Sequence, residues 1–185
     1  MSAPTPDDPL APEAWTADGV FEGPVDSAVD VARFRQVLGH FPTGVTVVTT
    51  AEGGEPAGLS VNSFTSVSLD PPLVAFCVAR GSSTWPRIRA SGRFCVNILA
   101  EDQEGLCRAF AVRGGRDKFR GVGWRPAESG APIVAGALAW IDCTVEDQHV
   151  AGDHIIVVGR VGELGVEREG RPLVFYRGGY GRFEP

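Results

Sequence analysis

Short apolar runs separated by glycine and proline occupy most of this 185-residue chain. The clearest run, residues 44–50, is rich in valine and threonine and precedes the turn pair Gly53-Gly54. Further runs of strand length lie at residues 73–78, 94–99, 138–146, 155–166 and 172–176. β-Branched and aromatic residues bounded by Gly and Pro are typical of strands. With a strand pair at 59–68, the pattern predicts six or seven strands.

Helical signals are few and short. Four apolar residues recur at helical spacing before Gly39, namely Val29, Phe34, Val37 and Leu38, and they predict a first helix that ends at this glycine. A second helix is predicted from the hydroxyl residues at 82–84 to Ser91-Gly92, and a third over 101–112. Strands and helices do not alternate as a doubly wound sheet requires. We expect a mainly β chain, a β-barrel with Greek-key character and a few short helices.

Acidic residues are concentrated at the N-terminus. Residues 1–30 contain seven acidic side chains and no Lys or Arg, which leaves 16 acidic and 17 basic residues elsewhere. The net charge of −6 therefore belongs to the first segment, and the remaining body offers no basic surface for nucleic acid. We expect residues 1–28, rich in Pro, Ala and acid, to be a disordered extension, and residues 29–185 to form the folded domain.

The cysteines and the apolar runs indicate the cellular location. The four cysteines are widely spaced and form no Cys-x-x-Cys motif: Cys77, Cys95, Cys107 and Cys143. We expect them to be reduced and to pack as small hydrophobic residues. No secretory signal begins the sequence, and no apolar run is long enough to span a bilayer. The sequence thus predicts a cytoplasmic protein without a membrane segment.

Residues 58–72 (GLSVNSFTSVSLDPP) alternate apolar side chains with small hydroxyl and amide groups. A strand of this kind offers short hydrogen-bonding groups and exposed backbone amides, with nothing bulky in the way. Such a surface suits a flat aromatic ligand that has a polar edge and a phosphate tail. The segment contains neither a nucleophile–base pair nor metal-ligand spacing. It therefore indicates binding rather than bond cleavage.

Two basic or hydroxyl-rich segments are candidates for phosphate binding. Ser82-Ser83-Thr84 opens the second helix, where free backbone amides and hydroxyls suit a phosphate, although a simple helix N-cap is the alternative. Arg87 and Arg89, one turn further, favour the phosphate, although the alternative is that both are only solvated. A basic cluster would either attract a phosphorylated cofactor or lie in solvent beside the acidic residues 101–104; it consists of Arg108, Arg113, Arg116, Lys118 and Arg120.

Gly152-Asp153-His154 precedes the apolar run 155–158. An imidazole at the start of a buried strand can donate a hydrogen bond or exchange a proton near pH 7. The alternative is an ordinary turn in which Gly152 permits the bend and Asp153 caps it. His149 and His154 lack the spacing of a two-histidine iron site, so we expect no metal. Dinucleotide-binding, Walker and nucleophile-elbow motifs are also absent from the sequence.

Taken in order, these segments resemble the flavin reductase-like family, whose members are similar to the short-chain NAD(P)H:flavin oxidoreductases of two-component monooxygenases. The resemblance begins at residues 34–50 (FRQVLGHFPTGVTVVTT) and covers roughly residues 29–183. It also includes residues 58–72, 82–84, 94–99, 152–159, 172–176 and 179–180. The family implies a split β-barrel and a homodimer, with a flavin near the subunit interface.

The resemblance also implies roles for individual residues. Six residues would line the flavin: Thr43, Ser60, Val61, Asn62, Ser63 and Phe64. Its phosphate would be held by Ser82, Ser83 and Thr84. His154 would face the nicotinamide as the catalytic residue, and Gly152, Asp153 and Tyr180 would be further cofactor contacts.

The implied activity is hydride transfer from NADH or NADPH to FMN or FAD, after which the reduced flavin passes to a partner monooxygenase. Because the flavin carries the chemistry, the protein needs to bind and orient two rings rather than supply a catalytic dyad. One alternative keeps the barrel but gives it a tightly bound flavin or deazaflavin that reduces another substrate. A second alternative is a non-enzymatic flavin-binding protein. The choices between FMN and FAD, and between NADH and NADPH, stay open.

Overall fold

The computed structural model describes residues 29–112, 114 and 118–184. The predicted N-terminal extension, residues 1–28, lies outside them. The helices of the described part are α1 (Val31–Leu38), α2 (Trp85–Ser91) and α3 (Glu104–Ala111), with a 3₁₀ turn at Glu101–Gln103 before α3. The strands are β1 (Thr43–Gly44), β2 (Thr46–Glu52), β3 (Glu55–Val61), β4 (Thr65–Leu69), β5 (Pro72–Ala79), β6 (Arg93–Ile98), β7 (Trp124–Pro126), β8 (Pro132–Val134), β9 (Ala139–Ala151), β10 (His154–Val166), β11 (Leu173–Tyr176) and β12 (Gly179–Arg182).

A seven-stranded antiparallel sheet forms most of the fold, in the order β3-β2-β6-β9-β10-β5-β4. A three-stranded sheet, β1-β11-β12, and the hairpin β7-β8 accompany it. The edge strands β3 and β4 are not hydrogen-bonded to each other, so within the described residues the large sheet does not close into a continuous barrel. The expected mainly β, split-barrel fold class is confirmed, and the split lies between these two edges.

The polar segment 58–72 differs from its prediction. We expected its two halves to pair with each other, but this is wrong: β3 pairs with β2 and β4 pairs with β5. The reason is local, because the Gly53-Gly54 turn and residues 70–71 each close a short hairpin with the neighbouring strand. Residues 62–64 therefore connect opposite edges of the sheet, and their polar groups stay outside any strand pair.

Two apolar clusters hold the helices on the sheet. Trp85 and Ile88 of α2 pack with core residues of the sheet such as Phe76 and Phe94. Cys107 and Phe110 of α3 pack with a second cluster that contains Val45, Val47, Leu99 and Leu173. Gly58 permits this second contact, because a Cβ at that position would lie 2.6 Å from Phe110 Cε1.

Helix α1 contains no buried residue. It begins two residues later than predicted because Asp30 is its N-cap, accepting a 3.0 Å hydrogen bond from the Arg33 backbone N–H. It ends at Gly39 as predicted. Its apolar side chains Phe34 and Leu38 are each 54% exposed. The apolar face of α1 is thus uncovered in the single chain.

The cysteines match their predicted state. All four are free thiols, and Cys95, Cys107 and Cys143 are buried, whereas Cys77 is partly exposed. Among the helices of the described part, none has the length and apolarity needed to cross a membrane.

Candidate functional site

Three adjoining cavities follow strand β3 and the connection after it. The largest, about 870 Å³, lies between α1 and residues 62–65. The second, about 290 Å³, is lined by residues 59–63, Ser83 and His154. The third, about 170 Å³, is lined by Ser60 and Tyr180 among others. Asn62 is exposed and lines all three. We call these three cavities together the β3 groove.

The β3 groove brings together most of the residues predicted from the sequence. It is lined by Thr43, Ser60, Val61, Asn62, Ser63, Phe64, Ser82, Ser83, His154 and Tyr180. Thr84, Gly152 and Asp153 do not line it. Val61 is 5% exposed and packs its side chain in the main core, so a ligand would meet mainly its backbone. The hydroxyl of Ser63 is already paired with the Cys77 backbone, at 2.9 Å from N and 3.2 Å from O.

Thr43 supplies an unpaired polar atom to the groove. It begins β1 opposite Phe175 and lines the largest cavity. Its Oγ1 atom is buried and has no hydrogen-bond partner among the described residues. Leaving such a group unpaired costs about 1–3 kcal/mol. A ligand with a hydrogen-bonding edge, such as an isoalloxazine ring, fits this wall of the groove.

The three hydroxyl residues before α2 have different surroundings. Ser82 Oγ accepts hydrogen bonds from the backbone N–H groups of Thr84 (3.2 Å) and Trp85 (3.3 Å), so it caps the helix. Thr84 is 5% exposed, and its Oγ1 donates to the Gly58 carbonyl at 3.0 Å. A phosphate contact from the Thr84 hydroxyl does not fit this burial. Ser83 is exposed and lines the second cavity.

The basic residues that the sequence analysis considered for phosphate binding differ in their surroundings. Some are paired within the protein, and others are exposed to solvent. Arg87 donates to Glu52 and to the backbone carbonyls of Glu55 and Pro56, which ties α2 to the β2–β3 hairpin. Arg108 pairs with Glu104 one turn earlier in α3. These two arginines therefore stabilise local structure, while Arg89 and Arg120 are exposed and line none of the cavities described above. Arg113 and Arg116 lie outside the described residues.

Lys118 lines the second cavity of the groove. Its Nζ donates to the carbonyls of Gly58 (3.2 Å) and Phe110 (3.0 Å). Burial lowers the pKa of the Lys118 ammonium, and no acidic group of the described residues opposes this effect. Lys118 and Ser83 both line the second cavity and also a further cavity of about 450 Å³ beside α2. A half-buried cation that has no acidic partner among the described residues favours an anionic ligand at this junction.

His154 also lines the second cavity. It is the first residue of β10, after a two-residue turn in which Gly152 has a φ of +61°. Its Nδ1 donates to the Asp153 carboxylate at 2.7 Å, and the imidazole is 46% exposed. This hydrogen bond, with the charge of His154, lowers the pKa of Asp153. Asp153 thereby orients the ring, and Nε2 is left for a ligand.

His149 does not join this site. Its Nε2 lies 3.2 Å from the Asp147 carboxylate, and His149 lines none of the three cavities of the groove. The described residues contain no group of three or more His, Cys, Asp and Glu side chains arranged to hold a metal ion.

Sequence reasoning missed the polar contacts of Cys107, which it treated only as a small hydrophobic residue. Its Sγ lies 3.0 Å from Ser60 Oγ and 3.2 Å from Tyr180 Oη. The partners are 47 and 73 residues away in the sequence, so no local pattern connects them.

Residues 38–184 match the model of the flavin reductase like domain family. The chain belongs to this family. A flavin reductase of Pseudomonas putida is 52% identical over 160 residues, covering 86% of this chain and 94% of that protein. The flavin-dependent monooxygenase reductase subunit HsaB of Rhodococcus jostii is 48% identical, covering 92% of this chain and 85% of that protein.

A solved structure shares the fold. The NADH:FAD oxidoreductase SgcE6 of Streptomyces globisporus, in complex with NAD and FAD fragments, has a TM-score of 0.80 and 41% identity. The match covers 88% of this chain and 98% of that chain. The predicted family membership and fold class are therefore confirmed.

Proposed function

We propose that this chain is an NAD(P)H:flavin oxidoreductase that reduces FMN or FAD by hydride transfer and supplies reduced flavin to a partner monooxygenase. The observation that carries the proposal is the β3 groove, in which the small polar groups of residues 60–63 and the imidazole of His154 line the same cavity. The relatives support it, since one is a flavin reductase and another is a reductase subunit of a flavin-dependent monooxygenase.

The flavin would lie along β3 and the connection after it. Thr43 Oγ1 and the amide of Asn62 would meet the polar edge of the ring, since an amide side chain both donates and accepts. When bound, the flavin supplies the ring that accepts hydride. The protein supplies orientation, holding the two rings stacked with the reacting atoms about 3–3.5 Å apart.

Different residues of the second cavity would hold different parts of the ligands. Ser83 and Lys118 would hold the flavin phosphate, with Ser82 and Thr84 shaping the backbone around it. The Nε2 atom of His154 would contact the nicotinamide nucleotide, with Asp153 fixing the ring. Of the three hydroxyl residues assigned to the phosphate in the sequence analysis, this proposal keeps Ser83 as a direct contact. It adds the ammonium of Lys118.

We further propose that the chain forms a homodimer in which a second copy covers α1 and the largest cavity. Phe34, Leu38 and Phe41 are exposed on this side, Phe41 at 73%, and Leu69 of the edge strand β4 is 94% exposed. An apolar surface of this extent is typical of a protein interface rather than of scattered surface residues. The four free thiols suit a reducing compartment, which supports a cytoplasmic location.

Steady-state oxidation of NADH and NADPH tests the function, with FMN, FAD and riboflavin added in turn to desalted protein. We expect consumption that depends on added flavin and that shows saturation in both substrates. Activity that survives desalting without added flavin would instead favour a tightly bound flavin acting on another substrate. Flavin binding without any nucleotide consumption would mean a flavin carrier and would end the proposal.

A further inference from the structure

A line of three hydrogen-bonded side chains borders the third cavity of the β3 groove. Ser60 comes from β3, Cys107 from α3 and Tyr180 from β12. The Cys107 sulfur lies between the other two, 3.0 Å from Ser60 Oγ and 3.2 Å from Tyr180 Oη. Cys107 is 1% exposed and otherwise sits in the apolar cluster of Val45, Val47, Leu99, Phe110 and Leu173. Its polar contacts are therefore concentrated on the side that faces the groove.

In the contact with Tyr180, the Cys107 thiol is the donor and Tyr180 Oη is the acceptor. A thiol carries a single proton, so this contact uses it. In the contact with Ser60 the sulfur can then only accept, so the Ser60 hydroxyl is the donor. Two hydrogen-bonding groups of these side chains are not used among the three residues. They are the lone pairs of the Ser60 oxygen, which can accept, and the phenolic proton of Tyr180, which can be donated. Both residues line the third cavity, next to Asn62.

The Tyr180 ring is held in place from several directions. The Arg108 guanidinium carbon lies 4.7 Å from its ring centroid, and the Phe175 ring packs edge-on at 5.3 Å. Burial raises the pKa of Tyr180 to about 12. The phenol therefore keeps its proton near neutral pH and is a hydrogen-bond donor there.

We propose that Cys107 is a positioning residue of the flavin site, which sets Ser60 as an acceptor and Tyr180 as a donor toward the bound flavin. The proposal rests on the proposed function and adds a residue that does not itself touch the ligand. Removing the sulfur frees the Ser60 hydroxyl to rotate and leaves the Tyr180 oxygen without its donor. The lost alignment then weakens flavin binding, while the transfer step at saturating flavin is less affected.

The experiment compares Cys107→Ala with Cys143→Ala, which removes an equally buried sulfur from the other core cluster. We expect Cys107→Ala to raise the KM and the Kd for FMN about five- to tenfold, as for the loss of one or two ordinary hydrogen bonds. The kcat at saturating FMN should change by less than about twofold, because the thiol does not meet the reacting atoms. Cys143→Ala should leave all three values unchanged, and Cys107→Ser should restore FMN binding. FMN fluorescence quenching gives the Kd independently of turnover.

A double-mutant cycle with Tyr180→Phe separates positioning from packing. If the three residues act as one unit, Cys107→Ala combined with Tyr180→Phe binds FMN no more weakly than the poorer single variant. Additive losses, or equal losses in Cys107→Ala and Cys143→Ala, would overturn the proposal. So would unchanged FMN binding in Cys107→Ala. These results are distinct from failure of the proposed function, in which the unsubstituted chain itself oxidises no NAD(P)H with any flavin.

Discussion

Replacing Lys118 with methionine tests the proposed phosphate contact in the groove. Methionine keeps a long unbranched side chain but removes the ammonium that donates to the Gly58 and Phe110 carbonyls. Riboflavin shares the ring of FMN but lacks the phosphate. If Lys118 holds the phosphate, Lys118→Met weakens the binding of FMN and FAD and leaves riboflavin almost unaffected.

The expected loss of FMN affinity in Lys118→Met follows from the position of the ammonium. Two unit charges about 4 Å apart attract by about 1 kcal/mol in water and about 4 kcal/mol at the effective dielectric near a protein surface. Lys118 is half-buried, so we take about 2 kcal/mol, between these limits. This corresponds to a loss of about thirtyfold in FMN affinity, since each 1.4 kcal/mol is tenfold.

Titration of flavin fluorescence against protein measures the three dissociation constants directly. Arg120→Met is the matched control, because it removes one positive charge from the same loop at an exposed position away from the groove. A loss of riboflavin binding as large as that of FMN would show that Lys118 only supports the fold. Equal losses in Lys118→Met and Arg120→Met would show a general effect of charge, and either result would refute the reasoning.

The affinity for FMN should also depend on pH, and the pKa of Lys118 gives the direction of the change. Burial lowers the pKa of Lys118, so the free protein loses this positive charge at a lower pH than an ordinary lysine would. FMN affinity therefore declines as the pH rises through this lowered pKa. The decline should be missing in Lys118→Met, which has no proton to lose there.

Three further variants test other parts of the molecule. His154→Ala should raise the KM for NAD(P)H far more than the Kd for FMN, because the imidazole is assigned to the nicotinamide; equal damage to both contradicts its role. Gly58→Ala should lower the free energy of unfolding in urea by about 1–3 kcal/mol, because its Cβ would overlap Phe110; unchanged stability would mean that α3 moves freely. Phe34→Asp should yield folded monomers by analytical ultracentrifugation, since Phe34 is exposed in the single chain; persistent dimers would place the interface elsewhere.

Local signals in the sequence predicted the elements of the fold but not every pairing between them. Gly39 ends α1, Gly53-Gly54 closes the β2–β3 hairpin, and Gly152 takes the positive φ of the turn before His154. Each of these depends on a few neighbouring residues. The separation of β3 from β4 depends instead on the strand with which each of them pairs. The alternation of apolar and polar residues along 58–72 does not indicate which partner strand that is.

The site shows the same division between local and distant contacts. The groove residues 60–64 follow one another in the chain, so a continuous polar segment identified them. Lys118 reaches the carbonyl of Gly58 across 60 residues, and Thr84 reaches it across 26. From the sequence, we assigned Thr84 to the phosphate and left the basic cluster that contains Lys118 between a cofactor contact and a solvated loop. The packing around Gly58 shows that the threonine hydroxyl is buried and that the lysine ammonium donates to two backbone carbonyls at the edge of the second cavity.

From the sequence, we expected β3 and β4 to pair with each other, and the absence of this pairing helps to form the site. If β3 and β4 were paired, residues 62–64 would form the turn of a hairpin. The backbone N–H and C=O groups of the two strands would then be hydrogen-bonded to each other. Because the two strands lie at opposite edges, Asn62 crosses the gap in an exposed position and lines all three cavities of the groove. Ser63 holds the crossing in place through two hydrogen bonds to the Cys77 backbone on β5. The gap in the sheet thus leaves a polar surface that is rigid but open, which suits a flavin that must enter, accept hydride and leave.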